Sequence, residues 1–381
     1  MAPPIAIIGG GPCGLTLARL LECKGIDYVL YERSEADFSQ QGGSLDIHPH
    51  TGQRALKDAG LFDEFKKHAR YADQRFRIFD RLGKEWLTMG EEGGDEPEID
   101  RSALRQMLVE SIPKHKVVWN QTLKDVTSDR DGKPVLSFTD DSTASGFKLI
   151  IGADGGWSKV RSAITQAVPQ YSGRHCIEFR INPGSPGYEF IAEKAGRGSS
   201  TWYGEQKYVV IQRQGDLSYR IYLGTTVTED FARKIGANLS DTEATRRLFL
   251  SSDFFGGWAD EIKNFIKNAE QFRNWPLYYF PVDAMSWKSV PGLAVIGDAA
   301  HLALPNGEGV NIAMEDSIIL ASLIEAHGTD DLDGAVSEFE EEMFPRAKKH
   351  IADGLTMMEY MMHEDSPAAL IQAFNDGKIG D

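Results

Sequence analysis

The sequence predicts an α/β fold built on a parallel sheet, with a mainly antiparallel sheet inserted into it and helices at the C-terminal end. Three observations lead there. The chain opens on a strand, a glycine turn, a helix and a second strand; two later apolar strands end in Asp beside Gly; and the texture changes across residues 171–228. Residues 4–9 form a short continuous apolar run, as in a parallel strand buried on both faces. Gly-Gly-Pro-Cys-Gly then opens a helix with Cys13, Leu17, Leu20 and Leu21 on one stripe. Gly25 ends that helix, and residues 28–32 make the second strand. Residues 148–153 and 293–297 repeat the buried-strand pattern and finish at Asp154-Gly155 and Gly297-Asp298. Parallel sheets bind ligands at the carboxyl ends of their strands, so these acidic strand ends can converge on one ligand.

Residues 208–212 and 217–224 read as antiparallel strands joined around Gln214-Gly215-Asp216. Residues 71–97 add strands to them, and 229–272 turn helical and amphipathic. The tail from residue 332 onward reads as helices packing back onto the first unit. The expected division is 1–72 with 97–168 and 276–381 for the nucleotide-binding unit, and 73–96 with 169–275 for a substrate-covering unit.

Length and composition agree with two domains. The 381 residues include 41% hydrophobic and 26% charged, an ordinary globular composition with room for a sizeable core. No apolar run approaches the roughly 20 residues that span a bilayer, and the first strand follows directly on residues 1–4 without a leader pattern; the expectation is a cytoplasmic protein. A net charge of −16 argues against nucleic-acid partners, which need clustered Lys and Arg. Cys13, Cys23 and Cys176 are too few and too scattered for a disulfide framework or a metal site, and no C-x-x-C pair exists.

Gly9-x-Gly11-x-x-Gly14 has the context a dinucleotide fingerprint requires, directly after a strand and at the start of a helix. The first glycine permits the tight turn. The second lets backbone approach a pyrophosphate, and the third lets helix and strand pack closely, with phosphates at the positive helix N-terminus. Glu32 lies 18 residues after Gly14 at the end of the second strand, where a carboxylate can accept ribose hydroxyl hydrogens. Arg33 beside it suits a 2′-phosphate, so this segment alone leaves FAD and NAD(P) both open.

Three segments together resemble the class A FAD-dependent aromatic hydroxylases: Gly9 to Gly14, the stretch Gly152-Ala-Asp154-Gly155-Gly-Trp-Ser158-Lys-Val-Arg161, and Gly297-Asp298-Ala-Ala-His301 continuing through Pro305-Asn306-Gly307-Glu308-Gly309-Val310-Asn311. Within that class the sequence is most similar to the tetracycline-inactivating flavin monooxygenases, sharing Tyr31-Glu32-Arg33, Gly42-Gly43-Ser44-Leu45-Asp46, Ile99-Asp100-Arg101 and Ser286-Trp287-Lys288-Ser289. The resemblance implies a Rossmann-like FAD-binding domain and a transient NADPH or NADH co-substrate, in keeping with the lack of a second G-x-G-x-x-G. It implies that O2 adds to the reduced flavin to give a C4a-hydroperoxide, whose distal oxygen passes to an electron-rich carbon. No side-chain nucleophile is then needed.

The resemblance carries FAD contacts onto Gly9, Gly11, Gly14, Glu32, Arg33, Asp46, Arg101, Asp154, Asp298, Pro305, Gly307, Gly309, Val310 and Asn311. Asp298 would bond a ribityl hydroxyl. The helix starting near Gly309 would aim its N–H groups at the flavin pyrimidine edge, whose charge in the reduced state it stabilises. Asp154 and Arg161 have two compatible readings: contacts for cofactor and NADPH, or a helix cap and an Arg–acid pair. The sequence also departs from the tetracycline enzymes. The stretch between His301 and Gly307 is one residue shorter, Glu308 stands where they carry Gln, and Gln40 and Gln41 stand near an absent nicotinamide-contacting arginine.

Substrate contacts are expected from the inserted sheet. Alternation places Ser218, Arg220 and Tyr222 on one face and Glu178 with Arg180 on another strand's face. Arg197 falls at a substrate-contacting arginine of the tetracycline enzymes, and Glu178 at a substrate-contacting Gln. The alternative for each is a solvated strand face. Several arginines on one wall would suit a phenolate, enolate or carboxylate. His301 reads as a packed histidine, Met357, Met358, Met361 and Met362 as a helix packing on the core, and Glu340 to Glu342 with Arg346, Lys348 and Lys349 as a solvated helical face. The function expected is hydroxylation of a phenolic or polycyclic small molecule by a monomer or weak dimer. Baeyer–Villiger insertion, epoxidation and a non-catalytic ligand-sequestering flavoprotein are the alternatives.

Overall fold

The computed structural model describes residues 3–36, 42–90 and 94–380. Gln40 and Gln41 lie outside the described residues. The chain opens with β1 (Ile5–Ile8), α1 (Pro12–Cys23) and β2 (Tyr28–Tyr31), then β3 (Ser44–Asp46), α2 (Gly52–Asp58) and α3 (Phe62–His68). A hairpin of β4 (Phe76–Asp80) and β5 (Glu85–Met89) precedes β6 (Glu98–Asp100), which runs directly into α4 (Arg101–Glu110). Next come β7 (Val117–Val118), a meander of β8 (Leu123–Ser128), β9 (Pro134–Phe138) and β10 (Thr143–Ala144), then β11 (Leu149–Gly152) and α5 (Lys159–Ile164). The long β12 (Gln170–Ile181) leads through α6 (Tyr188–Ala195) to β13 (Ser199–Gly204), β14 (Lys207–Arg213) and β15 (Tyr219–Thr226). Helices α7 (Phe231–Lys234), α8 (Thr242–Phe249) and α9 (Asp260–Lys267) precede β16 (Arg273–Tyr279) and β17 (Leu293–Val295). The chain closes on α10 (Asp298–His301), α11 (Gly309–His327), α12 (Leu332–Met361) and α13 (Ala368–Asn375).

The fold is α/β, a parallel Rossmann-like sheet carrying an inserted, mainly antiparallel sheet. Five parallel strands run in the order β17-β11-β1-β2-β7. All four residues of β1, Ile-Ala-Ile-Ile, are buried, as expected of a strand covered on both faces. The second sheet has seven strands in the order β16-β12-β15-β14-β13-β4-β5, antiparallel except for the β13–β4 pair.

That second sheet has two unlike faces, because successive side chains alternate across a strand. Ile177, Phe179, Ile181, Val209, Ile211, Ile221 and Leu223 pack beneath Phe249, Ile262, Phe265 and Ile266 of α8 and α9. The other face is divided. Ile78, Tyr203 and Tyr208 form a cluster with Leu304, Met358, Met362 and Leu370, so the end of α12 and α13 cover that half. Glu178, Gln212, Arg220 and Tyr222 hold the polar half. The tail therefore packs on the inserted sheet as well as on the parallel sheet, where Leu332, Phe339 and Met343 of α12 lie in the main core.

One helical face departs from expectation. Glu340 is buried, accepting the Trp287 indole N–H at 2.7 Å, and burial raises its pKa above the ordinary carboxylate value. Arg346 reaches inward to Asp316 at 2.7 Å. Only Glu341, Glu342, Lys348 and Lys349 keep the solvated character read from the run. A run of like charges on a long helix necessarily sweeps round its axis, so some members meet the core. Among the described residues no helix is long and apolar enough to cross a membrane.

Candidate functional site

The three fingerprint glycines meet three different surroundings. Gly9 has φ +113°, and a Cβ there would lie 2.3 Å from the Ala153 carbonyl oxygen at the end of β11. A Cβ at Gly14 would lie 2.1 Å from the Gly9 carbonyl oxygen, whereas one at Gly11 would meet nothing within 4 Å. The first and third are thus required by packing, and the second leaves open space in front of α1, whose N-terminus has no side-chain cap. Glu32 is buried beside this turn, accepting Gly10 N–H at 2.5 Å and Ser34 N–H at 2.9 Å. Burial alone would raise its pKa, but these two backbone donors outweigh it and keep the carboxylate below its usual range. Arg33 is exposed.

Sequence reasoning missed Arg105. It donates to the Gly10 carbonyl at 2.6 Å and to Ser34 Oγ at 3.1 Å, and lies 3.6 Å from Glu32, bracing the turn from α4. An arginine four residues after Arg101, on the same helical face, was the available signal. Arg101 itself begins α4. Its backbone N–H bonds the Gly43 carbonyl at 3.1 Å, and its side chain packs so tightly on Gly42 that a Cβ there would lie 2.4 Å from its Cδ.

Asp154 stands beside Gly9. One carboxylate oxygen accepts Lys159 N–H at 2.8 Å; the other is buried without a partner among the described residues, and burial raises the group's pKa. The cap of α5 is Ser158, which accepts Arg161 N–H at 2.9 Å. Arg161 is not paired with an acid as expected. Its guanidinium donates to the carbonyls of Ala299 at 2.8 Å and Gly156 at 2.5 Å and lies over the Phe280 ring. Buried carbonyls at two chain turns satisfy it as an acid would.

Asp298 is exposed at the start of α10, and its carboxylate has no partner among the described residues. Gly297 before it has φ +59° and is wedged between Cys13 and Ala313, while its N–H is held by Asp316 at 2.8 Å. Asp316 is fully buried, pairing with His301 at 2.6 Å and with Arg346. Burial opposes both charges, yet their mutual attraction raises the His301 pKa and lowers that of Asp316. His301 thus packs behind the strand end.

The start of α11 is the third element of the site. Pro305 and Gly307 are exposed, Val310 is buried, and a Cβ at Gly309 would meet nothing within 4 Å. Asn311 is fully buried and staples the incoming chain: it donates to the Asp46 carbonyl at 3.0 Å and accepts His48 N–H at 2.9 Å. His48, also missed, bridges the two loops, with Nε2 2.9 Å from Asp46 and Nδ1 3.3 Å from Glu308. Burial opposes its charge, but the two carboxylates prevail and the imidazole is pushed up to about 10.

The polar half of the inserted sheet meets the same loop. A Cβ at Gly43 would lie 2.4 Å from Tyr222 Oη, 2.8 Å from Gln212 Oε1 and 3.4 Å from Arg220 Cδ. Glu178 and Arg220 form an ion pair with side chains only 9% and 4% exposed, rather than a solvated face. Arg180 pairs with Asp216 and donates to Ser218 Oγ at 2.8 Å. Arg197 is exposed in the turn before β13, without a hydrogen bond or ion pair among the described residues. Glu178 and Asp216 thus each hold one arginine of this face, whereas Arg273 of β16, opposite Glu178 in the register, is exposed with no ion pair among the described residues. Alternation showed which residues share a face, but cross-strand register decides who pairs with whom, and sequence does not reveal register.

FAD fits the residues present. Open space lies in front of Gly11 and Gly309, the helices that start there have no side-chain caps, and the Asp298 carboxylate has no partner among the described residues. The comparisons agree. The family described as the FAD binding domain matches residues 3–352. Monooxygenase asqM of Emericella nidulans is 31% identical over 90% of this chain and 92% of its own length. The 3-amino-4-hydroxybenzoate 2-monooxygenase PtmB3 of Streptomyces platensis is 29% identical over 91% of this chain and 85% of its own. The crystal structure of tetracycline destructase Tet(51) shares the fold, with a TM-score of 0.74 over 99% of this chain and 95% of its own, at 19% identity.

Proposed function

Because the chain belongs to the FAD binding domain family and is an FAD-dependent monooxygenase, we propose that it hydroxylates a phenolic or polycyclic small molecule with NAD(P)H as electron donor. The overall change converts substrate C–H, O2, NAD(P)H and a proton into C–OH, water and NAD(P)+. One observation carries the reading: a single segment, residues 42–48 around β3, touches the polar face of the inserted sheet through Gly43 and is stapled to the start of α11 through Asn311. Cofactor-side and substrate-side residues then face one space. PtmB3, by its name, hydroxylates an aromatic ring.

We assign FAD to Gly9, Gly11, Gly14, Glu32, Asp298 and the start of α11. When bound, the flavin supplies electron transfer from NAD(P)H and oxygen activation. The chain's own residues bind, orient and shield. Glu32 orients adenosine hydroxyls, Asp298 a ribityl hydroxyl, and the α11 N-terminus stabilises negative charge at the pyrimidine edge. Tyr222 keeps its proton at neutral pH, because burial raises its pKa well above the usual phenol value, so it serves as a neutral hydrogen-bond donor. The α12–α13 cover and the Glu178–Arg220 pair limit access of water. Residues 73–96 and 169–275 are assigned as the substrate-covering unit.

The test is a ligand screen on the FAD-loaded protein that follows NADPH oxidation together with a mass gain of one oxygen atom. Coupled hydroxylation of at least one phenolic or polycyclic ligand is expected. If hydrogen peroxide accounts for all NADPH consumed with every ligand, the proposal fails.

A further inference from the structure

The strand end at Gly297 is held at both of its backbone groups. Its N–H donates to Asp316 Oδ2 at 2.8 Å, and its carbonyl accepts the N–H groups of Ala300 at 2.8 Å and His301 at 2.9 Å. The same Asp316 oxygen lies 2.6 Å from His301 Nε2. One carboxylate oxygen therefore closes a ring on both ends of the segment 297–301, and Asp298 lies inside that ring. Gly297 has no room for a side chain: a Cβ would lie 3.0 Å from Cys13 Sγ and 3.1 Å from Ala313 Cβ, and its φ of +59° favours glycine. The holder is itself fixed. The other oxygen of Asp316 accepts an N–H from Arg346 Nη2 of α12 at 2.7 Å, and the next residue, Ser317, donates to the Cys13 carbonyl of α1 at 3.0 Å. Asp316 has no exposed surface, so it does not touch a ligand itself.

We infer that Asp316 is a positioning residue for FAD: it fixes the direction in which Gly297 presents Asp298, and so sets how well the Asp298 carboxylate meets the cofactor. The inference rests on the assignment of Asp298 to FAD. A carboxylate on a free turn loses affinity because the turn must be ordered as the ligand binds, whereas a held backbone is ordered beforehand. The ring supplies that order at the one strand end whose carboxylate has no partner among the described residues.

The selective variant is Asp316→Asn. Arg346 keeps its charge, so the new side chain turns its oxygen to the guanidinium and its amide nitrogen to Gly297 and His301. A neutral His301 accepts from that nitrogen, and the Gly297 N–H loses its acceptor with the volume unchanged. The FAD dissociation constant, read by titration of the apo-protein, is expected to rise about 10-fold, the lower end of the roughly 10- to 100-fold known for groups that orient metal ligands from behind. Arg346→Met is the comparison: it removes one bond of Asp316 but leaves the ring closed, so stability to guanidinium should fall with the FAD constant nearly unchanged. In the Asp298→Ala protein, Asp316→Asn should add almost nothing, because two residues acting through one contact are not additive. His301→Leu opens the ring at its other end with Asp316 still paired to Arg346. It keeps the test open should Asp316→Asn fail to fold, since its FAD constant should rise as well, with no further loss on adding Asp298→Ala. A full additional loss in the Asp298→Ala background shows that Asp316 acts through packing in general and overturns the inference. An FAD constant raised as far in Arg346→Met as in Asp316→Asn does the same, as does an unchanged constant in the ring-opening variants. Should Asp298→Ala alone leave FAD binding unchanged, the assignment of Asp298 fails first and this inference with it.

Discussion

At the scale of single residues, the site is a set of carboxylates whose environments assign them different work. Asp298 has no partner among the described residues, whereas one oxygen of Asp154 already holds Lys159 N–H. Asp298→Ala is accordingly expected to weaken FAD binding about 10- to 150-fold, the equivalent of roughly 1.5–3 kcal/mol for a charge-assisted hydrogen bond. Asp154→Ala should weaken it less. Titration of the apo-protein with FAD measures both, and equal constants for the unmodified protein and Asp298→Ala would refute the assignment. His48 makes a pH prediction. Its folded pKa is raised, to about 10, so its contribution to stability is full below the unfolded value near 6.5 and disappears as pH rises through 10. Denaturant titrations should show the stability gap between the unmodified protein and His48→Gln largest below about pH 6.5 and nearly closed above about pH 10. A gap that grows with pH would sink the clamp. Asp298 was legible because a strand end announces it. His48 was not, since its two partners lie 2 and 260 residues away along the chain.

At the scale of elements, the fingerprint turn separates packing from ligand binding within six residues. A Cβ at Gly14 collides with the Gly9 carbonyl, while one at Gly11 enters open space. Gly11→Ala should therefore leave the melting temperature of the apo-protein unchanged and weaken FAD binding, because the methyl group takes the room a pyrophosphate needs. Gly14→Ala should lower the melting temperature even without FAD, although replacing a helical glycine by alanine ordinarily adds roughly 0.5–1 kcal/mol of stability. Thermal melts of both apo-variants distinguish the two; equal melting temperatures would remove the distinction. The β1–α1–β2 unit was legible because its contacts are local and its periodicities strong. The β3–β6 ribbon was not. Three-residue strands have no period to read, and Arg70 holds this ribbon by bonding Ser44, Asp73 and Asp100 together.

Across the whole molecule, the long C-terminal helix ties the parallel sheet to the inserted one. Leu332, Phe339 and Met343 lie in the main core, and Met358 and Met362 lie in the cluster with Ile78, Tyr203 and Tyr208. Met358→Ala is expected to cost about 2–5 kcal/mol of stability and to loosen the cover that α12 and α13 form beside the polar half of the sheet, so that NADPH consumption without product rises. Guanidinium titration and the ratio of hydroxylated product to NADPH consumed measure the two effects. A variant with unchanged coupling would show that the cover does not shield the site.

What the sequence alone determined is what local pattern and glycine geometry encode: the parallel strands, the turn at residues 9–14, the strand-end aspartates and, through motif order, the FAD-dependent monooxygenase family. The character of the substrate wall was decided only in three dimensions. Glu178, Arg220, Tyr222, Gln212 and Trp275 come from four strands, and whether an arginine there attracts an anion depends on which carboxylate the register sets opposite it. Charge neutralisation is a property of contact distance, which no single strand carries in its own pattern.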